Sequence, residues 1–195
     1  MRFKDLKIGF GVTGSHCTIA EVLPVMKLLK DEGARVTPIL SPAVVNNDTR
    51  YGTAEELLQK INDITGEKPL LTMVEVEPIG PKKLFDLVVV APCTGNTLAK
   101  LALGVNDSNV LLACKAELRN NRPVIIAIST NDGLSANAKN LGILLNRKNI
   151  FFVPFGQDAP ETKQASLIAK VSLLPETILE ALQNRQIQPL LITYN

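Results

Sequence analysis

The segment Asp86-Leu87-Val88-Val89-Val90-Ala91 decides the fold, and it is followed directly by Pro92-Cys93-Thr94-Gly95-Asn96-Thr97. The apolar residues of the first segment are consecutive, which is typical of a parallel strand covered by helices on both faces. The polar segment that follows predicts a loop at the carboxyl end of this strand, leading into a helix. A strand of this kind needs parallel neighbours, and parallel neighbours are joined by crossover helices.

The rest of the chain alternates between strand-like and helix-like segments. We predict strands over residues 7–12, 35–40, 71–76, 123–128 and 150–153, and helices over 18–31, 54–64, 97–103, 109–118, 134–145, 167–173 and 175–182. This alternation predicts an α/β protein with a Rossmann-like (flavodoxin-like), doubly wound, mostly parallel sheet in three α/β/α layers. We expect one domain over residues 1–185 and a C-terminal tail over 186–195, for which the pattern offers no partner in the fold. Because proline has no backbone N–H, Pro38 predicts that the second strand donates no hydrogen bond to a neighbouring strand at this position.

Size and charge exclude several classes of protein. The chain has 195 residues, with 21 basic and 19 acidic side chains and a net charge of +2. These charges are scattered along the sequence, whereas nucleic-acid binding needs a basic stripe to neutralise phosphates. No apolar run approaches the roughly 20 residues that span a bilayer, and the first residues carry no apolar signal core. We therefore expect a cytoplasmic protein that binds neither nucleic acid nor membrane.

Cysteine and histidine are too few and too dispersed for a metal centre. The sequence has three cysteines and one histidine, which are Cys17, Cys93, Cys114 and His16. Their spacing matches no zinc finger. An odd number of cysteines without a CxxC pair predicts reduced thiols. We expect Cys93 to position backbone rather than act as a nucleophile. A reactive thiolate needs a nearby cation or a helix N-terminus, and the sequence offers Cys93 only the helix N-terminus.

Small polar residues follow four of the predicted strands. These loops are Thr13-Gly14-Ser15-His16, Ser41-Pro42-Ala43, Pro92 to Thr97 and Ser129-Thr130-Asn131-Asp132-Gly133. Ligands of open parallel sheets bind outside the carboxyl ends of the strands, so the four loops predict one site. Hydroxyl groups and helix N-termini together favour an anion such as a phosphate. The alternative is that each hydroxyl is only a helix cap.

The glycines of the first loop do not favour classical NAD binding. The segment Gly9-Phe10-Gly11-Val12-Thr13-Gly14 matches GxGxxG, but the match begins inside the predicted strand. NAD binding also needs an acidic residue at the end of the second strand, where this chain has Ser41.

Two motifs resemble the flavoprotein family that includes the FMN-containing cysteine decarboxylases and the flavin prenyltransferases. Gly11-Val12-Thr13-Gly14-Ser15 is similar to the opening of that family. The segment 91–100, Ala-Pro-Cys-Thr-Gly-Asn-Thr-Leu-Ala-Lys, resembles its PASANT-type FMN motif and continues into a similar stretch at 103–110. The resemblance extends over roughly residues 7–155, and its middle motif is specific.

The resemblance implies an FMN site built from two groups of residues. The phosphate is expected at Gly14, Ser15, His16 and Ser41, and the ribityl chain and ring at Thr94, Gly95, Asn96 and Thr97. We expect His16 to be a residue near the phosphate rather than an acid/base catalyst, and no catalytic residue is assigned.

The chain departs from the cysteine decarboxylases at two places. Those enzymes carry a catalytic histidine on a helix after the second strand, and this chain has none beyond His16. Their PxMNxxMW substrate clamp corresponds here to residues 128–134, where only Asn131 remains. Cysteine decarboxylation is therefore not expected.

Within the family, the chain is most similar to one component of a two-component oxidoreductase. That resemblance implies the oxidation of a dihydro precursor to pyridine-2,6-dicarboxylate. It also implies a larger, dehydrogenase-like partner that carries NAD(P), and a homo-oligomer, either a trimer or a dodecamer. Candidate cations for a dicarboxylate are Lys100, Arg122, Lys139 and Arg147. Two alternatives remain open: a stand-alone enzyme of the flavin prenyltransferase type that uses FMN, and a flavin-free scaffold protein.

Overall fold

The computed structural model describes residues 1–194; Asn195, the last residue of the expected tail, lies outside the described residues. The elements are, in chain order, β1 (Lys7–Val12), α1 (His16–Asp31), β2 (Arg35–Leu40), α2 (Pro42–Val45), α3 (Ala54–Thr65), α4 (Met73–Val76), α5 (Ile79–Lys82), β3 (Leu87–Cys93), α6 (Gly95–Leu103), α7 (Asn109–Arg119), β4 (Val124–Thr130), α8 (Ala138–Leu145), β5 (Ile150–Phe152), β6 (Phe155–Gly156), β7 (Leu167–Ala169), a 3-10 turn (Val171–Leu173) and α9 (Leu174–Leu182). Among these described helices, none has the length and apolarity that a membrane span requires.

A mixed sheet of seven strands forms the centre of the protein. Its parallel part runs in the order β2-β1-β3-β4, and β5 pairs in parallel with the first half of β4. The carboxyl end of β4 pairs with β7 in the antiparallel direction, and β7 pairs in the same way with β6. Helices flank this sheet, which confirms the α/β Rossmann-like prediction.

The consecutive apolar residues of β3 explain its central position. All seven residues of the strand are buried, and it pairs in parallel with β1 on one side and β4 on the other. Helices α1 and α7 both pack on it. Burying a strand on both faces removes a large apolar area from water, and this is the main favourable term in folding.

Pro38 lies where its missing N–H costs nothing. In β2 the N–H groups of Arg35 and Ser41 point to β1, where they donate to Leu6 and Val12. The N–H of Leu40 points the other way and donates to Leu70, outside the main sheet. Pro38 has the same parity as Leu40, so its nitrogen faces the edge of the sheet, as the sequence predicts.

The predicted strand over 71–76 is wrong. Only Leu70 pairs with β2, through a single bridge to Ile39, and the chain then turns into α4. Thr72 and Glu75 form a capping box at the start of this helix, in which each side chain accepts from the other's backbone N–H. The hydrogen bonds between backbone N–H groups and the side chains of this capping box outweigh the short alternating pattern.

The predicted helix over 167–173 is also wrong. Leu167–Ala169 forms β7, which lies between β4 and β6, and only Val171–Leu173 is helical, as a 3-10 turn. A short apolar run fits either structure, and here the hydrogen bonds to two neighbouring strands decide.

Helix α8 begins four residues later than the predicted 134. The N–H groups of Ser135 and Asn137 both donate to the backbone carbonyl of Asp132, which holds residues 132–137 in turns. Helices α1 and α6, in contrast, each begin two residues earlier than predicted.

The segment 186–194 has a partner within the chain. Gln186 bonds to both the N–H and the carbonyl of Phe152, and the backbone of 190–192 pairs with Phe155. The hydroxyl of Tyr194 donates to the carbonyl of Ile168. This segment therefore lies at the edge of the sheet beyond β6, to which it is joined by a parallel bridge between Phe155 and Leu191.

Glu117 is a buried acid at the end of α7. Its side chain is 0% exposed, and neither carboxyl oxygen has a hydrogen-bond partner among residues 1–194. Burial raises the pKa of Glu117 to about 7, and the charge of Asp86 adds to this, whereas Arg122, 3.9 Å away, opposes it. The folded protein therefore holds a proton on Glu117 at pH values where the unfolded chain does not.

This burial makes the free energy of unfolding depend on pH. The folded pKa lies above the unfolded value of 4.5, so the folded state binds more protons between about pH 4.5 and pH 7. As the pH rises through that range, the free energy of unfolding should fall by at most about 3.5 kcal/mol, because each pKa unit corresponds to ~1.4 kcal/mol. Urea titrations from pH 4.5 to 8 measure this loss.

Glu117→Gln should flatten this part of the profile, since the amide does not titrate. A variant that loses stability as steeply as the native chain would show that another group is responsible.

Candidate functional site

The hydroxyl of Thr13 ties the loops after β1 and β3 together. It donates to the carbonyl of Pro92 (2.7 Å) and accepts from the backbone N–H of Thr94 (3.0 Å). Thr13 is itself buried. The loops after two neighbouring strands are therefore fixed relative to each other at the carboxyl edge of the sheet.

A cluster of three hydroxyls joins α1 to the end of β4. Ser129 lies 2.7 Å from the hydroxyl of Ser15 and 2.7 Å from that of Thr18. Ser15 precedes α1 as its N-cap residue, but its side chain does not cap the helix. The first-turn N–H groups of α1 are thus left without a side-chain cap, and free N–H groups at a helix N-terminus favour an anion.

A second polar network surrounds Asp132 in the loop after β4. Thr130 and Asn137 both donate to its carboxylate, Asn137 at 2.8 Å, and Asn140 in turn donates to Asn137 at 2.9 Å. Gly95 lies against this network: a Cβ placed there would be 2.7 Å from Asp132 and 2.6 Å from Asn137. The loop after β3 approaches the loop after β4 this closely only because residue 95 has no side chain.

These loops line a cleft of about 500 Å³. Its walls come from β1, β3, β4 and β7 and the loops that follow them, and its lining residues are Gly14, Ser15, Cys17, Thr18, Thr94, Gly95, Asn96, Ser129, Thr130, Asn131, Asp132, Asp158, Lys163, Ser166, Leu167 and Ile168. Most of the polar groups are neutral hydroxyls and amides. Lys163, which lies 3.4 Å from Asp158, is the cation in this lining.

The structure brings together five of the eight predicted site residues in this cleft: Gly14, Ser15, Thr94, Gly95 and Asn96. Thr97 is buried in the first turn of α6, and its hydroxyl lies 3.0 Å from that of Thr94. Thr94 in turn caps α6 by accepting from the N–H of Thr97. Thr97 therefore does not line the cleft but holds Thr94, which does, in position.

His16 opens α1 on the other side of Gly14. Its ring lines a smaller cavity of about 150 Å³ between α1 and α3, with Tyr51 and Lys60 among its neighbours. The ring nitrogen Nε2 would be 3.8 Å from a Cβ at Gly14, and the Cβ of Ala43 would be 3.1 Å away. The loops after β1 and β2 thus meet at Gly14.

Among the predicted site residues, Ser41 carries a buried hydroxyl that has no hydrogen-bond partner within residues 1–194. It is 8% exposed, and its hydroxyl oxygen finds no partner in the part of the chain that the structure describes. Its N–H donates to Val12, which places it beside the loop that carries Gly14. A buried hydroxyl without a partner costs free energy, so its position calls for a ligand or another functional reason.

Cys93 lies inside the sheet and does not face the cleft. It is fully buried at the end of β3, and burial raises the pKa of its thiol above the ordinary value. A thiol of this kind stays protonated and is a poor nucleophile.

Several lining residues are not among those predicted from the sequence. The polar loop after the fourth main strand, which the sequence analysis identifies as part of the site, contains three of them: Ser129, Thr130 and Asp132. Asp158, Lys163 and Ser166 lie around a strand that was predicted as helix, and no motif marked them. Of the cations expected to bind a dicarboxylate, none lines the cleft: Lys100 pairs with Asp107, Arg122 lies beside Glu117, and Lys139 and Arg147 lie elsewhere on the surface.

Comparison with known proteins agrees with this architecture. Residues 2–174 match the family model described as Flavoprotein. The chain is 50% identical to the B subunit of dipicolinate synthase from Bacillus subtilis (strain 168) over 189 residues, which cover 97% of this chain and 94% of that protein.

Solved structures show the same fold. The B subunit of dipicolinate synthase from Bacillus halodurans C superposes with a TM-score of 0.92 at 48% identity, covering 100% of both chains. DmrB of Burkholderia xenovorans, solved in complex with FMN and described as a cubic protein cage for redox transfer, has a TM-score of 0.67 at 20% identity, covering 92% of this chain and 96% of its own. The second likeness is one of fold alone.

The fit around Gly95 can be tested by adding one methyl group. Gly95→Ala should lower the free energy of unfolding by about 1–3 kcal/mol, because the new Cβ overlaps the Asp132 network. Gly142→Ala in α8 is the matched control: nothing lies within 4 Å of its added Cβ, and alanine in a helix should raise stability by about 0.5–1 kcal/mol. Chemical denaturation measures both, and equal effects would show that the space at Gly95 is not limiting.

Proposed function

The chain belongs to the Flavoprotein family, and from that membership we propose that it is the flavoprotein-type B subunit of a dipicolinate synthase. The observation that carries this proposal is the 50% identity that extends over 97% of the chain. The proposed reaction oxidises a dihydrodipicolinate-like intermediate to dipicolinate (pyridine-2,6-dicarboxylate) during sporulation. The ring loses two hydrogens, one as a proton and one with both electrons of its bond, and becomes aromatic.

The residues at the carboxyl edge fit FMN as the cofactor. The phosphate would lie where the loops after β1 and β2 meet, at Gly14, Ser15 and Ser41, with His16 beside it. Two observations support this location: the partnerless buried hydroxyl of Ser41 and the uncapped N-terminus of α1. Gly14 allows the close approach, since a Cβ there would already touch Ala43.

The ribityl chain and ring would lie along the loop after β3. Thr94, Gly95 and Asn96 line the cleft and offer hydroxyl, backbone and amide groups to a polyol. Thr97 contributes by holding Thr94 in place. When bound, the flavin would supply an acceptor for two electrons.

The dehydrogenase-like A subunit of dipicolinate synthase is proposed as the partner that carries NAD(P). The cleft lining away from the proposed phosphate site supports this division: Lys163 is the cation there for the two carboxylates of the substrate, and Asp132 and Asp158 lie in the same lining. The protein is further proposed to form a homo-oligomer, a trimer or a dodecamer. Cysteine decarboxylation is not proposed, because the chain has no histidine other than His16, which opens α1.

Replacing the hydroxyl of Ser41 separates cofactor binding from folding. Ser41→Ala should leave the unfolding free energy unchanged or higher, because it removes a buried group that has no partner. It should weaken FMN binding by about tenfold to a hundredfold, the usual value of a hydrogen bond to a charged group. Fluorescence titration with FMN and urea denaturation measure the two effects.

Thr177→Val is the matched control. Its buried hydroxyl already donates to the carbonyl of Leu173, so the change should cost about 1 kcal/mol of stability and leave FMN binding unaltered. If Ser41→Ala binds FMN as tightly as the native chain, Ser41 does not contact the phosphate.

The reaction itself is tested by reconstitution. The FMN-loaded chain mixed with the dehydrogenase-like subunit should form dipicolinate from the dihydro precursor, detected by its ultraviolet absorbance, and omitting either protein should abolish the product. Full turnover by this chain alone would instead favour a stand-alone flavin enzyme. Normal turnover with the flavin-free chain would favour a scaffold.

A further inference from the structure

A cationic groove lies at the amino edge of the sheet, opposite the cleft. It has a volume of about 480 Å³, and the cations that line it are Lys115 and Arg119 of α7 and Arg147 and Lys148 of the loop before β5. Its lining contains no carboxylate. Within residues 1–194, none of these four cations forms an ion pair, although nine such pairs occur elsewhere.

One of the four cations is held in place by a hydrogen bond. Arg147 donates to the carbonyl of Leu101 in α6 at 3.3 Å, which joins the loop before β5 to the last turn of that helix. The guanidinium group of Arg119 lies over Gly80, but Arg119 is exposed and its side chain makes no hydrogen bond within the described residues. Lys115 and Lys148 are exposed and make no hydrogen bond through their side chains in the described chain. Part of the groove is therefore rigid, and part can adapt to a partner.

The negative C-terminal ends of nearby helices compensate only part of the positive charge of these four cations. The C-termini of α6, α7 and α8 are all near the groove, and each carries about half a negative charge. Three helix ends thus offset less than two of the four cations, and the remaining positive charge is unmatched.

Exposed apolar side chains lie on the same helix ends. Leu103, the last residue of α6, is 70% exposed, and Val105 follows it. Ile143 and Leu145 are exposed in the last turn of α8, which packs against α6. Isolated exposed apolar residues are ordinary, but four of them beside an unpaired cationic groove are typical of a protein interface.

We propose that this groove and its apolar rim are the docking surface for an acidic, apolar segment of the dehydrogenase-like subunit. The inference rests on the proposed function, which requires such a partner. Charge complementarity favours an acidic protein surface over a two-fold contact with a second copy, which would oppose like charges. A heterologous contact between copies, as in a trimer, is distinguished by the oligomeric state measured below. The apolar rim favours a protein over a phosphate-rich ligand, which would leave those four side chains in water.

The test is the affinity of this chain for the dehydrogenase-like subunit, measured by calorimetry with the full-length, FMN-loaded protein. Lys115→Glu/Lys148→Glu should weaken association by about tenfold or more, because like charges then face the acidic partner. The affinity of the native pair should also fall as salt is raised, since screening shortens the reach of exposed charges. Leu103→Gln should weaken association by loss of apolar contact, with little dependence on salt.

Lys4→Glu/Lys170→Glu is the matched control. Both lysines are exposed, lie outside the groove and have no ion pair in the described structure, so the net charge changes equally. This control should bind the dehydrogenase-like subunit with native affinity. FMN affinity and melting temperature should be unchanged in every variant, which shows that the fold and the cleft are intact.

Four outcomes overturn the proposal. If the groove and control variants lose the same affinity, the effect is one of net charge and not of a docking surface. If the groove variants change the homo-oligomeric state in light scattering instead, the occupant is a second copy. If the native chain binds FMN but not the dehydrogenase-like subunit, the docking surface is refuted together with the partnership, while the cofactor site stands. Association that is merely insensitive to the groove variants refutes the docking surface alone.

Discussion

The buried hydroxyl of Thr13 is the interaction on which the cleft depends. By bonding to both Pro92 and Thr94, it fixes the loop after β1 against the loop after β3. Ser129 extends this arrangement to β4 through Ser15 and Thr18, and the missing side chain at Gly95 lets the loop after β4 come close. The cleft is therefore assembled by short hydrogen bonds between strand ends, on a sheet that hydrophobic burial makes rigid.

The two edges of the sheet have different chemistry. The carboxyl edge presents neutral hydroxyls, amides and a helix N-terminus, which suit a phosphorylated polyol. The amino edge presents unpaired cations and exposed apolar side chains at the ends of three helices. In the proposed synthase, one edge would hold the cofactor and the other the dehydrogenase-like partner, so that cofactor binding and assembly do not compete for surface.

The sequence predicts the central architecture because its signals there are local and strong. The run Leu87 to Val90 is consecutive and apolar, and the edge position of Pro38 follows from its missing N–H. The same reasoning fails at 71–76 and at 167–173, where short apolar runs fit both structures. A capping box decides the first, and pairing with distant strands decides the second.

The candidate site likewise has residues that the sequence could predict and residues that it could not. Gly14, Ser15, Thr94, Gly95 and Asn96 could be predicted because they directly follow strands whose carboxyl ends must meet. The inward position of Thr97, the separate cavity beside His16 and the presence of Lys163 in the cleft could not, because they depend on side-chain packing and on a strand pairing that no short motif encodes.

The most direct measurement compares FMN with riboflavin, which lacks the phosphate, in fluorescence titrations of the purified chain. In the proposed site the phosphate lies at the uncapped end of α1 beside Ser41. We therefore expect saturable binding of one FMN per chain and a much weaker affinity for riboflavin. Equal affinity for the two flavins would contradict this site, because the phosphate would then contribute nothing.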